Sequence, residues 1–175
     1  QVQQWAAINS GSGNLAGLKA TADLLADAFA ILPGNIELQE PAPVEKVRAD
    51  GVVEIVEHGR HLVVTVRPEA PVQLLFTGHM DTVFPADHNF QDQRWLEDGV
   101  LNGPGVADMK GGIAVMLAAL AATETAPEFA NVGYQVMINS DEEVGSPSSA
   151  PLITALAKGK IAALTYEPAL PDGTL

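Results

Sequence analysis

The sequence contains no cysteine among its 175 residues. This absence excludes disulfide bonds, thiolate zinc sites and a cysteine nucleophile. Basic residues are also few, because 9 lysines and arginines stand against 22 acids and the formal net charge is −13. A surface with this excess of negative charge repels phosphate backbones, which argues against nucleic-acid binding. The acidity is typical of a solvated surface, although some of the acids could instead be metal ligands.

The chain also lacks a long apolar run. The longest, residues 113–122, is about half of the ~20 residues that a helix needs to cross a membrane. The first residue is Gln1 rather than Met, and no basic segment followed by an apolar one opens the sequence. We therefore expect no membrane partner and a processed or trimmed amino terminus. A cytoplasmic location is favoured, and a periplasmic or secreted one stays open because a signal peptide could have been removed.

Hydrophobic residues, in contrast, make up 47% of the chain, enough for one domain with a real core. Apolar residues spaced three and four apart predict a helix over 15–30 with Asn14 as its N-cap. Further along, apolar strands alternate with helices, with strands at 72–77, 132–139 and 161–166 and helices at 111–122 and 147–158. This alternation predicts an α/β fold with a mixed, largely parallel sheet and helices on both faces.

Some local features of this fold are also predicted. The β-rich runs 52–57 and 62–67 are joined by a short segment containing glycine, which indicates a loose hairpin of antiparallel edge strands. The helix over 111–122 is apolar on all sides, so we expect it to be buried on most of them. The polar stretch 84–98 is expected to be irregular, with Trp95 as its anchor.

A histidine and several acids stand where the apolar strands end. They are His79, Asp81, Asp108, Glu142, Glu143 and Glu167. Because the carboxyl ends of parallel strands meet at one edge of an open sheet, we expect these side chains to lie close together. One imidazole with several carboxylates is a donor set for zinc, and the number of acids favours a binuclear site.

The spacing of these residues indicates what each could do. His79 and Asp81 are two residues apart in extended chain and point to the same side, so Asp81 could hold the far nitrogen of the imidazole. Asp108 could bridge two metal ions about 3.5–4 Å apart. The adjacent Glu142 and Glu143 diverge, so one could bind metal while the other serves as general base.

Each residue also has an interpretation without chemistry. His79 could be a hydrogen-bonded histidine at a strand end, and Asp108 a helix N-cap. The glutamate pair could be a solvated acidic turn, and Glu167 a surface acid. Their common position at one sheet edge favours the metal site. Residues 103–105 are similar to a dinucleotide loop, but an acid at the third glycine position would repel a pyrophosphate.

Four segments carry a resemblance to a known family: GHMDT at 78–82, GPGVADMKGG at 103–112, DEEVGS at 141–146 and YEP at 166–168. The chain resembles the dinuclear zinc exopeptidases and deacylases, which include glutamate carboxypeptidase, succinyl-diaminopimelate desuccinylase, acetylornithine deacetylase and aminoacylase. The glutamate carboxypeptidase branch is the most similar, because its fourth ligand also lies in a Glu-Pro pair. The resemblance spans nearly the whole chain and implies the three-layer catalytic domain of this family.

The resemblance implies metal ligands at four positions: His79, Asp108, Glu143 and Glu167. Asp108 would bridge two zinc ions, one held with His79 and Glu167 and the other with Glu143. Cobalt or manganese could replace zinc, since a histidine with carboxylates suits all three metals. The resemblance also implies a cis peptide bond between Asp108 and Met109.

By the same resemblance, Asp81 would orient His79 and Glu142 would be the general base. The expected activity is hydrolysis of an amide bond in a peptide-like or N-acyl amino acid substrate, through a metal-activated water. An alternative is a binding or scaffold member of the fold that has lost catalysis, but no ligand or catalytic residue present here is substituted. A third hypothesis is a metal-free α/β module whose acids at the strand ends are incidental. Metal analysis would distinguish this hypothesis from the other two.

Members of this family are longer than this chain. After the Glu-Pro strand they carry a lid and dimerisation domain, and they then complete the catalytic domain with a last histidine ligand. No histidine follows Glu167 here, so residues 1–175 are expected to be the N-terminal part of a catalytic domain. We expect a binuclear zinc centre and a homodimer for the full-length protein. For this chain we expect one zinc or none, and little activity.

Overall fold

The structure of the chain, a computed structural model, describes residues 1–170 and 172–174, without the side chain of Asp98. The helices are α1 (Val2–Ala6), α2 (Leu15–Phe29), α3 (Gly112–Thr123) and α4 (Ala150–Ala157). The strands are β1 (Asn35–Gln39), β2 (Val44–Val47), β3 (Val53–Val56), β4 (His61–Val66), β5 (Val72–His79), β6 (Arg94–Trp95), β7 (Leu101–Asn102), β8 (Val132–Asn139) and β9 (Ala162–Thr165). Shorter helical turns cover Glu97–Gly99, Val106–Gly111, Pro127–Asn131 and Glu142–Val144.

A five-stranded sheet in the order β1-β4-β8-β5-β9 forms the middle layer. Strands β8, β5 and β9 run parallel to one another, and β4 is antiparallel to both β1 and β8. Two further pairs, β2-β3 and β6-β7, form separate two-stranded ribbons. The predicted α/β fold with a mixed sheet is therefore confirmed, and its parallel strands are the ones that lead to the site.

Helices pack on both faces of this sheet. Successive side chains of a strand point to opposite sides, so one strand can contribute residues to the core on each face. On one face, alternate residues of β4 and β8 pack with α2 and α3: Leu62, Val64, Val66, Tyr134, Val136 and Ile138. On the other face, Val63, Leu75 and Met137 pack against α4. The result is the predicted three-layer arrangement, with the main core on the side of α2 and α3.

Helix α2 begins and ends close to where the sequence predicts. The side-chain oxygen of Asn14 accepts a hydrogen bond of 3.1 Å from the main-chain N–H of Gly17. This bond satisfies one of the amides that the first turn of a helix leaves without a partner. Leu18, Leu25 and Phe29 are fully buried in the main core, as their spacing predicts.

Two local predictions are wrong. Strands β3 and β4 do not form a hairpin, because β3 pairs with β2 while β4 lies between β1 and β8. Both runs are β-rich, but five of the six residues of β4 are buried and β3 is mostly exposed, and the two strands belong to different sheets. Trp95 is 60% exposed and anchors nothing in the core, whereas Trp5 is buried.

Helix α3 is less enclosed than its composition predicts. Ile113, Met116, Leu117 and Leu120 lie in the main core, but Val115 is 59% exposed. The stretch Val106–Thr123 is long and apolar enough for a membrane span by composition alone. The backbone at Asp108 and Met109 is not helical, however, so the continuous helix is α3 itself. Its buried face packs in the main core, together with residues of the sheet.

Candidate metal centre

The carboxyl ends of the parallel strands meet at one edge of the sheet. Strand β5 ends at His79 and β8 ends at Asn139, and these two residues are level in the register of the sheet. The turn 140–145 follows β8 directly. Strand β9 ends two residues before Glu167. The polar residues at or after the ends of β5, β8 and β9 therefore lie at the same edge of the sheet, as the strand pattern predicts.

His79 lies in the middle of a group of carboxylates. Its Nε2 atom is 3.0 Å from Asp108 Oδ1, 3.7 Å from Glu167 Oε2 and 4.0 Å from Glu142 Oε2. Ligand atoms of His79, Asp108 and Glu143 all lie within 4.8 Å of one another. Among the described residues, this is the only group of three or more such side chains close enough to share an ion. All the predicted ligands and the predicted base therefore surround one imidazole.

The imidazole and the carboxylates of this cluster differ in exposure. The His79 side chain is 1% exposed, whereas the side chains of Asp108, Glu142 and Glu167 are 54%, 49% and 41% exposed. The imidazole is thus fixed from within the protein and the carboxylates face solvent. This arrangement leaves the centre open on one side, which an ion and a substrate need for access.

Asp81 contacts both the His79 imidazole and the turn that carries Glu142 and Glu143. His79 Nδ1 lies 3.0 Å from the main-chain oxygen of Asp81 and 3.4 Å from its carboxylate. The carboxylate also accepts hydrogen bonds of 3.1 Å from the main-chain amides of both Glu142 and Glu143, and one of 2.7 Å from Ser12 Oγ. The spacing of two residues predicts the contact with His79. No local spacing predicts the amide contacts, which join residues 61 and 62 positions apart.

Asp108 lies in the irregular segment Val106–Gly111, where the backbone leaves helical geometry. The peptide bond between Asp108 and Met109 is cis, as the resemblance implies. Gly105 precedes the segment with φ 68°, in the left-handed region that favours glycine. The Gly-Pro-Gly sequence therefore allows the chain to turn sharply before it presents the Asp108 carboxylate to His79.

Lys110 ties this loop to the amino terminus, a contact that the sequence did not reveal. The residue is 1% exposed. Its Nζ donates hydrogen bonds to the main-chain oxygens of Trp5, at 3.2 Å, and Ile8, at 3.1 Å. Burial lowers the pKa of Lys110 to about 8. The first helix thus serves as a support for the loop that carries Asp108.

The electrostatics of the cluster favour a bound cation. Burial by itself lowers the pKa of His79, but Asp81, Glu167 and Asp108 together raise it to about 9. Burial and the charge of Asp108 raise the pKa values of Glu143 and Glu167. Without a cation the carboxylates repel one another and the imidazole retains a proton. One imidazole nitrogen and several carboxylate oxygens form a donor set for zinc, cobalt or manganese, so these residues fit a metal ion.

Gly112, the first residue of α3, fixes the position of Glu167. A Cβ atom at Gly112 would overlap the main-chain oxygen of Tyr166, the residue before Glu167. Gly112→Ala is expected to displace Glu167 and to weaken zinc binding about tenfold, as the loss of a support for a ligand does. The measurement is zinc titration in competition with a chelator. Gly13→Ala is the matched control, because a Cβ there meets nothing within 4 Å; equal affinities of both variants would contradict this account.

The fold and the cluster define a class: a three-layer α/β domain with a candidate metal centre of histidine and carboxylates at the carboxyl edge of its parallel strands. The pattern of peptidase family M20/M25/M40 matches residues 75–175. This range is more than half of the chain and contains His79 and all the carboxylates that surround it. The chain therefore belongs to this family of metallopeptidases and deacylases, as the resemblance implied.

Individual relatives agree with this assignment. The chain is 40% identical over 83 residues to succinyl-diaminopimelate desuccinylase 2 of Shewanella loihica, covering 43% of this chain and 21% of that protein. It is 30% identical over 165 residues to carboxypeptidase G2 of Pseudomonas sp., covering 92% of this chain and 36% of that protein. Human carnosine dipeptidase 1 has the same fold, with a TM-score of 0.73, 20% identity, and coverage of 97% of this chain and 38% of the dipeptidase. The chain thus spans less than half the length of each relative.

Proposed function

We propose that this chain supplies most of the metal centre of a hydrolase that cleaves an amide bond in a peptide-like or N-acyl amino acid substrate. The observation that carries the proposal is the convergence of His79, Asp108 and Glu143, whose ligand atoms lie within 4.8 Å of one another. The substrate class is supported by the names of two relatives, a carboxypeptidase and a desuccinylase.

The ligand assignment follows from the central position of Asp108. Its carboxylate contacts the His79 imidazole at 3.0 Å and adds to the effect of burial, which raises the pKa values of both Glu143 and Glu167. In this assignment His79, Asp108 and Glu167 would hold one zinc ion, and Asp108 and Glu143 would hold a second. Asp108 is then the shared ligand. Asp81 orients His79 through the contacts of its main chain and its carboxylate with Nδ1.

Glu142 is the proposed general base. Zinc bound at this centre would supply a Lewis acid for the scissile carbonyl and would lower the pKa of water. Glu142 would take a proton from the attacking water and return it to the leaving amine. Its side chain is 49% exposed and its carboxylate lies 4.0 Å from His79 Nε2, farther than those of Asp108 and Glu167, so it can face a substrate. Glu142 and Glu167 also line one cavity of about 340 Å³, which offers room for part of that substrate.

The second zinc site is incomplete in this chain. Glu143 and Asp108 supply carboxylates for it, and no histidine follows Glu167. We therefore propose that the chain binds one zinc ion tightly and has little hydrolytic activity by itself. We further propose that segments beyond this chain, of the kind that its longer relatives have, complete the second site and mediate dimerisation.

The zinc content of the chain tests the proposal. After saturation with zinc and removal of the excess, elemental analysis is expected to find close to one ion per chain. His79→Asn should abolish this binding, and His88→Asn, a change at an exposed histidine, should leave it intact. No bound zinc in the unaltered chain would contradict the assignment of the ligands. Two ions would contradict the claim that the second site needs a further ligand.

A further inference from the structure

A second buried polar network adjoins the turn 140–145, separate from the contacts of Asp81. It is centred on His61, the first residue of β4, which is fully buried. Its Nδ1 atom lies 3.3 Å from the main-chain nitrogen of Ser140, and its Nε2 atom lies 3.4 Å from Ser148 Oγ. The Ser148 hydroxyl in turn donates a hydrogen bond of 2.8 Å to Asp141 Oδ2.

The shorter contacts of this network favour one arrangement, although Ser140 Oγ also lies 3.4 Å from His61 Nδ1. Ser148 gives its only hydroxyl hydrogen to Asp141, so its oxygen must accept from His61 Nε2–H. His61 Nδ1 is then unprotonated and accepts from the main-chain N–H of Ser140. Burial lowers the pKa of His61, which favours this neutral form. The hydrogen bonds therefore run from Ser140 through His61 and Ser148 to Asp141. Because Asp141 directly follows Ser140 in the chain, the bonds form a closed ring.

Asp141 connects this ring to the helix that follows the turn. Its buried Oδ2 also accepts hydrogen bonds from the main-chain amides of Ser148, at 2.6 Å, and Ser149, at 3.2 Å. Its main-chain oxygen accepts a bond of 2.7 Å from the amide of Ser146. Both ends of the segment that carries Glu142 and Glu143 are thus attached to buried groups, while the two glutamate side chains stay free to reach the cluster around His79.

We propose that His61 is a positioning residue for Glu142 and Glu143 and that it acts through Ser140, Ser148 and Asp141. The inference rests on the proposed function, in which Glu143 binds the metal and Glu142 is the general base. Asp81 holds the main-chain amides of these two glutamates, and the His61 network holds the residues on either side of them. Partners that orient a metal ligand typically account for about 10- to 100-fold in metal affinity.

Substitutions at His61 separate the two bonds that it makes. His61→Phe keeps an aromatic ring in the buried site and removes both bonds, while His61→Gln keeps an amide donor for Ser148. His58→Phe is the matched control, since neither ring nitrogen of His58 has a partner among the described residues. Ser148→Ala breaks the same ring at another point with a smaller change in volume.

The first readout is a cobalt titration of the chain, followed by visible absorption and continued past one ion per chain so that the weaker site of Asp108 and Glu143 is also filled. His61→Phe is expected to weaken the second cobalt-binding step, in which Glu143 is a ligand, about 10- to 100-fold and to alter the spectrum of that step. The first step, at His79, Asp108 and Glu167, should change little. His61→Gln should recover part of the affinity and of the spectrum of the second step, and His58→Phe should match the unaltered chain. The effects of His61→Phe and Ser148→Ala should be less than additive in the double variant, since both break one network.

The second readout is amide hydrogen exchange in the metal-free chain. His61→Phe and Ser148→Ala are expected to speed exchange at Glu142, Glu143 and Ser148, while amides in the middle of β5 keep their protection. Metal affinities and spectra equal to those of the unaltered chain would overturn the inference and leave the proposed function standing. If the unaltered chain bound no metal, the proposed function would fail, and unchanged exchange in the turn would then overturn the inference as well.

Discussion

Replacing Asp108 with asparagine is expected to lower the zinc affinity of the chain by more than about 100-fold. The carboxylate of Asp108 is the one nearest to His79 Nε2, at 3.0 Å, and it also lies within 4.8 Å of a donor atom of Glu143. The asparagine amide has nearly the same shape as the aspartate carboxylate, but it lacks the negative charge that attracts the ion. Competition between the chain and a chromogenic chelator for zinc, at fixed pH, measures the difference.

The same carboxylate-to-amide change at Glu142 is the matched control. Glu142→Gln is expected to leave zinc affinity almost unchanged, because Glu142 is proposed as the general base and its carboxylate lies farther from His79 Nε2, at 4.0 Å, than those of Asp108 and Glu167. In the complete enzyme the same variant should lower kcat by about 10²- to 10⁴-fold with full metal content, since it removes the general base. Asp87→Asn, at an exposed acid of the loop after β5, should change neither quantity. Strong zinc loss in Glu142→Gln with normal binding in Asp108→Asn would reverse the two roles.

The zinc affinity of the chain is also expected to rise with pH, about tenfold per unit from neutral pH until it levels off near the pKa of His79. That pKa is raised to about 9, so at neutral pH the imidazole carries a proton that the ion must displace. Each unit of pH lowers the competing proton concentration tenfold. The raised pKa values of Glu143 and Glu167 make the dependence steeper toward acid pH.

Zinc titrations over a series of pH values measure this dependence, and calorimetry in buffers of different ionisation enthalpy counts the protons released. Asp81→Asn is the informative variant, because it removes the hydrogen-bonded carboxylate that contributes most to raising the pKa of His79. Its affinity should level off at a lower pH. In the metal-free chain, the stability that protonated His79 contributes is fully present below pH 6.5 and is lost as pH rises through about 9. A zinc affinity that stays flat from neutral pH to pH 9 would disprove the raised pKa.

The sequence alone is sufficient to predict where the chemistry lies. Apolar runs end at His79, at the turn after Asn139 and just before Glu167, and a parallel sheet brings such ends to one edge. The resemblance adds the roles of the individual acids and the cis bond after Asp108. These features are local in sequence, since each depends on a strand and the few residues that follow it.

The partners of the strands could not be predicted in the same way. Periodicity indicates that residues 53–56 and 61–66 favour extended structure, but it does not indicate which strand each one meets. Burial decides between them, because β4 must be covered on both faces while β3 tolerates solvent. The hairpin prediction failed for this reason, and the main sheet gained β4 as an interior strand.

The supports of the site are decided by tertiary structure as well. The amides held by Asp81, the ring of bonds through His61 and the carbonyls that Lys110 reaches join residues that are 61 to 105 positions apart. A buried donor or acceptor must find a partner wherever the folded chain supplies one, so no fixed spacing marks these contacts in advance. The sequence by itself therefore determined which residues form the candidate metal centre, and only the packing of distant segments decided what holds them in place.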